Sequence, residues 1–214
     1  MGDISTIKTA LPYMRRFKDK IFVLKLGGEV AKDPVNLDYL AEDISLLHHV
    51  SIRMVVVHGG GPQADELLEK LGVERKYFNG RRITDDNPLD VAKMIFSGKI
   101  NIELGAAMRK WGGRTVGLSG VDGDIIDAKR RPVASVKNQQ TGQMESVDFG
   151  HVGDVISVDP TLLQLLIDRD YVPGVCSLAS DEDGNIFNIN ADTIATVIAQ
   201  SLKAEKLIVL SDVP

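Results

Sequence analysis

Short apolar runs alternate with helix-spaced segments along most of this chain, and that alternation limits the folds open to it. Residues 21–26 (IFVLKL), 54–57, 115–118, 171–177 and 206–210 read as buried strands. Between them, residues 37–50, 62–71, 90–111, 161–168 and 190–202 carry apolar side chains at helical spacing. Strands apolar on both faces and separated by helices predict a largely parallel sheet covered on both sides. Residues 4–17 read as an N-terminal helical element interrupted by Pro12. From residue 122 to 158 the text changes to short β-like pieces, turn dipeptides and polar residues. These predict surface hairpins, an excursion from a single α/β unit.

Composition narrows the function classes. With 25 basic and 30 acidic residues the net charge is -5, which gives no general attraction to nucleic acid. No run approaches the ~20 apolar residues of a membrane span, and no signal-peptide pattern opens the sequence. The start Met-Gly-Asp-Ile-Ser-Thr fits the loose myristoylation pattern, which is short and is read here as accidental. Cys176 is the single cysteine, so no intramolecular disulfide forms, and its apolar surroundings predict a buried, inert thiol. The expectation is a cytoplasmic protein.

The triple glycine in VVVHGGGPQ follows a strand and opens a helix, which brings backbone close to something else. Gly59-x-Gly61-x-x-Ala64 satisfies the loose dinucleotide fingerprint, but no strand ending in an acid follows at ~20 residues. His58-Gly59-Gly60-Gly61 resembles an esterase oxyanion sequence, but the nearest nucleophile elbow, around Ser119, lacks its final glycine. A Walker A loop fails as well, because Gly98-Lys99 runs into Ile100.

A third reading joins this loop to Lys25, a charge near the end of a buried strand just before Gly27-Gly28. A buried ammonium either reaches solvent or faces anions. Two glycine loops leaving the C-terminal ends of parallel strands aim N–H groups at one crevice. Lys25 with both loops makes a site for a phosphoryl group. Asn188-Ile-Asn190-Ala-Asp192 runs from a strand-like piece into a helix. Capping explains one of its three polar residues; a carboxylate at Asp192 is suited to holding an ammonium. In Gly80-Arg81-Arg82-Ile83-Thr84-Asp85, arginine suits bidentate grip of a carboxylate, with Thr84 or Asp85 as a helix cap.

The order of these segments resembles the amino-acid kinase family, in its acetylglutamate kinase branch. The matching stretches are LPYMRRF, KLGG, VVVHGGGPQ, NGRRITD, VGLSGVDG, GHVGDV, NINAD and KLIVLSDVP. The resemblance implies a three-layer α/β/α sandwich with a mainly parallel central sheet and a β-hairpin lid over residues 122–158. It also implies transfer of the ATP γ-phosphoryl group to the side-chain carboxylate of N-acetyl-L-glutamate in arginine biosynthesis. Lys25 then stabilises the phosphoryl group, Gly27, Gly28, Gly60 and Gly61 are backbone donors, and Asp192 organises the lysine. Arg82 binds the substrate α-carboxylate and Asn188 is a second substrate contact. Mg²⁺ arrives with ATP, and no metal ligand set is assigned to the protein.

The resemblance further implies domain limits, assembly and competing roles. Residues 1–20 form the helical segment, 21–205 the acyl-substrate lobe, and 206–214 the start of the nucleotide-binding lobe. Relatives continue past DVP into that lobe, which carries a second lysine, so these 214 residues alone are expected to bind ATP weakly. Where many relatives read Lys-Tyr-Gly-Gly-Asn, this chain has Lys-Leu-Gly-Gly-Glu29, an acid beside the phosphoryl site. A homodimer or hexamer is expected, with arginine as feedback inhibitor. The alternatives are the regulatory, oligomerising kinase domain of an acetylglutamate synthase and an aminoadipate-carrier kinase.

Overall fold

In chain order, the computed structural model begins with α1 (Ile4–Phe17), β1 (Ile21–Leu26), α2 (Gly28–Lys32), α3 (Pro34–His49), β2 (Arg53–His58) and α4 (Gly61–Lys70). It continues with β3 (Tyr77–Phe78), β4 (Arg81–Arg82), α5 (Asp86–Ala92), a π-helical segment (Lys93–Ile100), α6 (Asn101–Lys110) and β5 (Thr115–Ser119). Next come β6 (Ile126–Arg130), β7 (Ala134–Lys137), β8 (Met144–Val147), β9 (Gly153–Val158) and α7 (Thr161–Asp168). The chain closes with β10 (Val172–Cys176), β11 (Leu178–Ser180), β12 (Ile186–Asn188), α8 (Ala191–Ser201) and β13 (Lys206–Leu210). The structure describes residues 4–211. The Met-Gly-Asp of the myristoylation-like start and residues 212–214 of the second-lobe segment lie outside them.

The central sheet has the order β13-β1-β2-β10-β5, and each of its pairs is parallel. Alternation along each strand assigns its side chains to two layers. Val23, Val55, Val57 and Val175 face a core shared with Ile194, Ala195 and Ile198 of α8 and Leu163 and Ile167 of α7. Phe22, Leu24, Leu26, Met54 and Val56 face the other core, with Leu37, Ala41 and Ile44 of α3 and Leu104 and Met108 of α6. This is the expected three-layer sandwich. Lys25 is two residues beyond Val23 on β1, so it belongs to the α8 face.

Three expectations are corrected. Residues 122–158 are not all surface hairpin: β6 and β9 join β11 and β12 in a second sheet of order β12-β11-β6-β9. Ile126, Ala128, Ala179 and Phe187 of that sheet lie in the α8-side core. Within that stretch, β7 and β8 form a separate two-stranded hairpin. α1 runs through Pro12 without interruption. The long helix read at 90–111 begins at Asp86 and changes to π winding over Lys93–Ile100 before α6 resumes.

Candidate active site

Lys25 and Asp192 come together because β1 and α8 share a face. The Lys25 ammonium is 3.0 Å from the Asp192 carboxylate, with the lysine side chain 14% exposed and the aspartate 55% exposed. Asn190, not Asp192, caps the helix: its side chain accepts from the Thr193 N–H at 3.0 Å. Asp192 is therefore free of capping and faces the lysine from the first helical turn.

The two glycine loops leave neighbouring strands and touch. A Cβ at Gly28 would sit 2.5 Å from Pro62 Cδ, and one at Gly60 would sit 2.5 Å from Ile100 and 2.6 Å from Phe96 of the π segment. Gln63 binds the loops together, donating to the Gly28 carbonyl at 3.1 Å. Gly27, expected among the donors, instead gives its N–H to the Leu210 carbonyl at 3.0 Å. The N–H groups of Gly28, Gly60 and Gly61 have no acceptor among the described residues. They precede or open α2 and α4, where backbone donors are left unpaired.

Beside the lysine opens a cavity of about 610 Å³, whose walls include Arg81, Arg82, Arg131, Asn188 and Asp192. Arg82 is held rather than free. It donates to the Gly61 carbonyl at 3.0 Å and to Asp65 at 2.6 Å, and is 13% exposed. Tyr77 adds its hydroxyl to the same carboxylate at 2.8 Å and its ring beneath the guanidinium at 5.9 Å. Asn188 reaches the Thr84 hydroxyl at 3.4 Å, a long contact. Asp85 stands at the start of α5 but makes no side-chain cap, bonding Lys76 at 2.9 Å, and Thr84 is buried. Neither is the cap expected from the sequence. Asp65 and Tyr77 were missed; helical spacing makes Asp65 look like solvated surface, and only the return of β4 brings Arg82 to it.

This clamp carries a prediction. Asp65→Asn leaves Arg82 partly buried without its counter-ion, so KM for a carboxylate substrate rises about tenfold or more while kcat changes little. Steady-state kinetics on the variant, with Tyr77→Phe as the milder member, check it; an unchanged KM refutes it. Cys176 is buried beside this region, and burial pushes its thiol up to about 12. A thiol reagent at pH 8 is therefore expected to leave the native protein unlabelled and to react on unfolding.

Among the described residues no cluster of three or more acidic, histidine or cysteine side chains could hold a metal. Residues 20–214 match the sequence profile of the Amino acid kinase family.

The chain belongs to the amino acid kinase family.

Within this family, an acetylglutamate kinase of Methanoregula boonei is 47% identical over 95% of the chain, and 69% of that protein is covered. That of Methanothermobacter thermautotrophicus is 39% identical over the whole chain, covering 73% of the relative. That of Methanocaldococcus jannaschii is 43% identical over 95% of the chain, covering 67%. Among solved structures, the N-acetylglutamate synthase of Neisseria gonorrhoeae, complexed with coenzyme A and N-acetyl-glutamate, superposes with a TM-score of 0.81. It is 26% identical over 99% of this chain, which spans 46% of that one. A Giardia carbamate kinase, 16% identical with a TM-score of 0.58 over 91% of this chain and 74% of its own, shares the fold.

Proposed function

We infer that the protein moves the γ-phosphoryl group of ATP to the side-chain carboxylate of N-acetyl-L-glutamate, the reaction of arginine biosynthesis. The observation that carries this reading is Lys25, paired with Asp192 and set beside two loops of unpaired N–H donors. The similarity to acetylglutamate kinases over 95% or more of this chain supports the choice of substrate. It favours the kinase over the alternatives, a synthase regulatory domain and an aminoadipate-carrier kinase.

The chemistry asks little beyond charge and position. A side-chain carboxylate is ionised at neutral pH, with a free pKa of ~4.3, so the nucleophile needs no general base. Lys25 and the N–H groups of Gly28, Gly60 and Gly61 neutralise charge developing on the phosphoryl oxygens. Asp192 keeps the ammonium aimed. Arg82, with its fork fixed by Asp65, takes the α-carboxylate, and Asn188 contacts the acyl part, so the acceptor is presented in line. The donors around the crevice suit an anion. Mg²⁺, arriving with ATP, would be held by phosphate oxygens and would supply further charge neutralisation.

Residues 21–205 form the acyl-substrate lobe in this reading, after an N-terminal segment 1–20 whose described part holds α1, and residues 206–214 belong to the nucleotide-binding lobe. A cytoplasmic location is part of this reading. No described helix is long and apolar enough to cross a membrane. It assembles as a homodimer or hexamer, and α1 offers exposed Ile7 and Tyr13 for such contacts. Arginine acts as feedback inhibitor. The test is acyl phosphate formation by the full-length protein, trapped with hydroxylamine as the hydroxamate. Turnover with acetylglutamate and ATP is expected; no hydroxamate, or turnover confined to another acyl amino acid, overturns the assignment.

A further inference from the structure

The residue that ends β2, directly before the triple glycine, has two polar contacts that the phosphoryl-transfer reading leaves unused. His58 is 1% exposed. Its Nδ1 is 2.8 Å from the Gly59 carbonyl and its Nε2 is 2.8 Å from the Asn101 side-chain oxygen. Asn101 opens α6, is itself buried, and donates to the Leu118 carbonyl at 3.2 Å. A line of polar groups thus runs from β5 beneath the sheet edge to the glycine loop. Asn101 has room there because residue 117 is glycine: a Cβ at Gly117 would sit 2.8 Å from Asn101 Cβ.

We propose that His58 is a positioning residue, whose Nδ1–H holds the Gly59 carbonyl inward and thereby aims the Gly60 N–H at the phosphoryl group. The inference rests on the proposed phosphotransfer. Its geometry is that of one peptide. Among the described residues no peptide bond is cis, so the carbonyl of Gly59 and the N–H of Gly60 point in opposite directions. A carbonyl pulled toward the core leaves the N–H facing the crevice, where it has no acceptor among the described residues. The loop has little else to fix that plane, since glycine permits both orientations of the peptide. Phe96 and Ile100 press on the Cα of Gly60 and set its position, but not the direction of its N–H. His58 supplies the direction.

Burial lowers the pKa of His58 below the usual imidazole value. The ring therefore carries one N–H near neutrality, while both of its nitrogens face oxygens, the Gly59 carbonyl and the Asn101 side chain; the proposal puts that proton on Nδ1. Asparagine places its amide nitrogen near the Nδ1 position and glutamine near Nε2, so two substitutions separate the two contacts. In the full-length protein, His58→Gln is expected to lower kcat about tenfold to a hundredfold with both KM values little changed, and His58→Asn to retain most of it. A packing role predicts the opposite order, because glutamine fills the space better. Glutamine equal to or better than asparagine, or both variants within threefold of the parent, overturns the proposal. The Gly60 amide resonance, recorded without substrate, gives the same comparison free of turnover: it stays in place in His58→Asn and moves in His58→Gln. The reverse order overturns the proposal even if the parent protein forms no acyl phosphate, a result that would separately refute the proposed reaction. Ring ¹⁵N spectra of the unmodified protein complete the test without any variant. A proton on Nδ1 is expected, and a ring protonated on Nε2 alone overturns the inference.

Discussion

Lys25→Met is expected to lower kcat for acyl phosphate formation about 10²–10³-fold, a loss of roughly 3–4 kcal/mol of transition-state stabilisation. Methionine keeps the apolar stem packed along β1 and removes only the charge, so the melting temperature should move little. The ammonium is 14% exposed and faces one carboxylate at 3.0 Å, which leaves it as the charged donor beside both glycine loops. Asp192→Asn should fall between that variant and the parent. The asparagine still contacts the lysine but no longer stabilises its charge, and with Asp192 half exposed water replaces part of the loss. If either variant stays within about threefold of the parent, a change under ~1 kcal/mol, the phosphoryl site is elsewhere.

The largest stability effect is expected at Gly150. Its φ is +70° and a Cβ there would lie 2.4 Å from the Thr84 carbonyl oxygen and 2.9 Å from its carbon. Both neighbours are backbone, so no rotamer change relieves the contact. The segment is also pinned: the His151 N–H donates to the Thr84 carbonyl at 2.7 Å, and the Thr84 N–H to the Phe149 carbonyl at 3.0 Å. Gly150→Ala combines left-handed strain with a steric clash, together about 2–5 kcal/mol. Thermal unfolding should show a fall of roughly 5–15 °C at this chain size. Gly142→Ala is the control, because its φ is +73° but nothing lies within 4 Å of its Cβ position. That variant carries the backbone strain alone and should lose about 1 kcal/mol. Equal losses at the two positions would show that the Thr84 contact yields.

What the sequence made legible was what local pattern encodes. Continuous apolar runs gave the five central strands to within a residue or two, and Lys25 stood out because a charge interrupts one of them. The NINAD stretch announced both a helix start and a spare carboxylate, and Asn190 and Asp192 divide those tasks as the residue types suggest. Hidden features depend on pairings between distant segments. β6 and β9 read as polar hairpins because each has one exposed side, and only their sheet with β11 and β12 shows the buried one. Asp65 is an ordinary exposed position on α4 until Arg82 is brought against it. Gly27 was grouped with its neighbours by motif, whereas pairing of β1 with β13 gives its N–H to Leu210.

The π segment fixes the length of the chain more tightly than any loop does. Each residue of an α-helix advances its face by about 100°, so the looser winding over Lys93–Ile100 decides which side of α6 turns inward. As wound, Phe96 and Ile100 meet Gly60, Asn101 meets His58, and Leu104 and Met108 enter the core beneath β1 and β2. Removing one residue there would restore a regular helix and rotate all of its later contacts off their seats. Insertions and deletions that the β7–β8 tip would absorb are therefore forbidden in this helix, where the residue count works as a ruler between the core and the triple glycine.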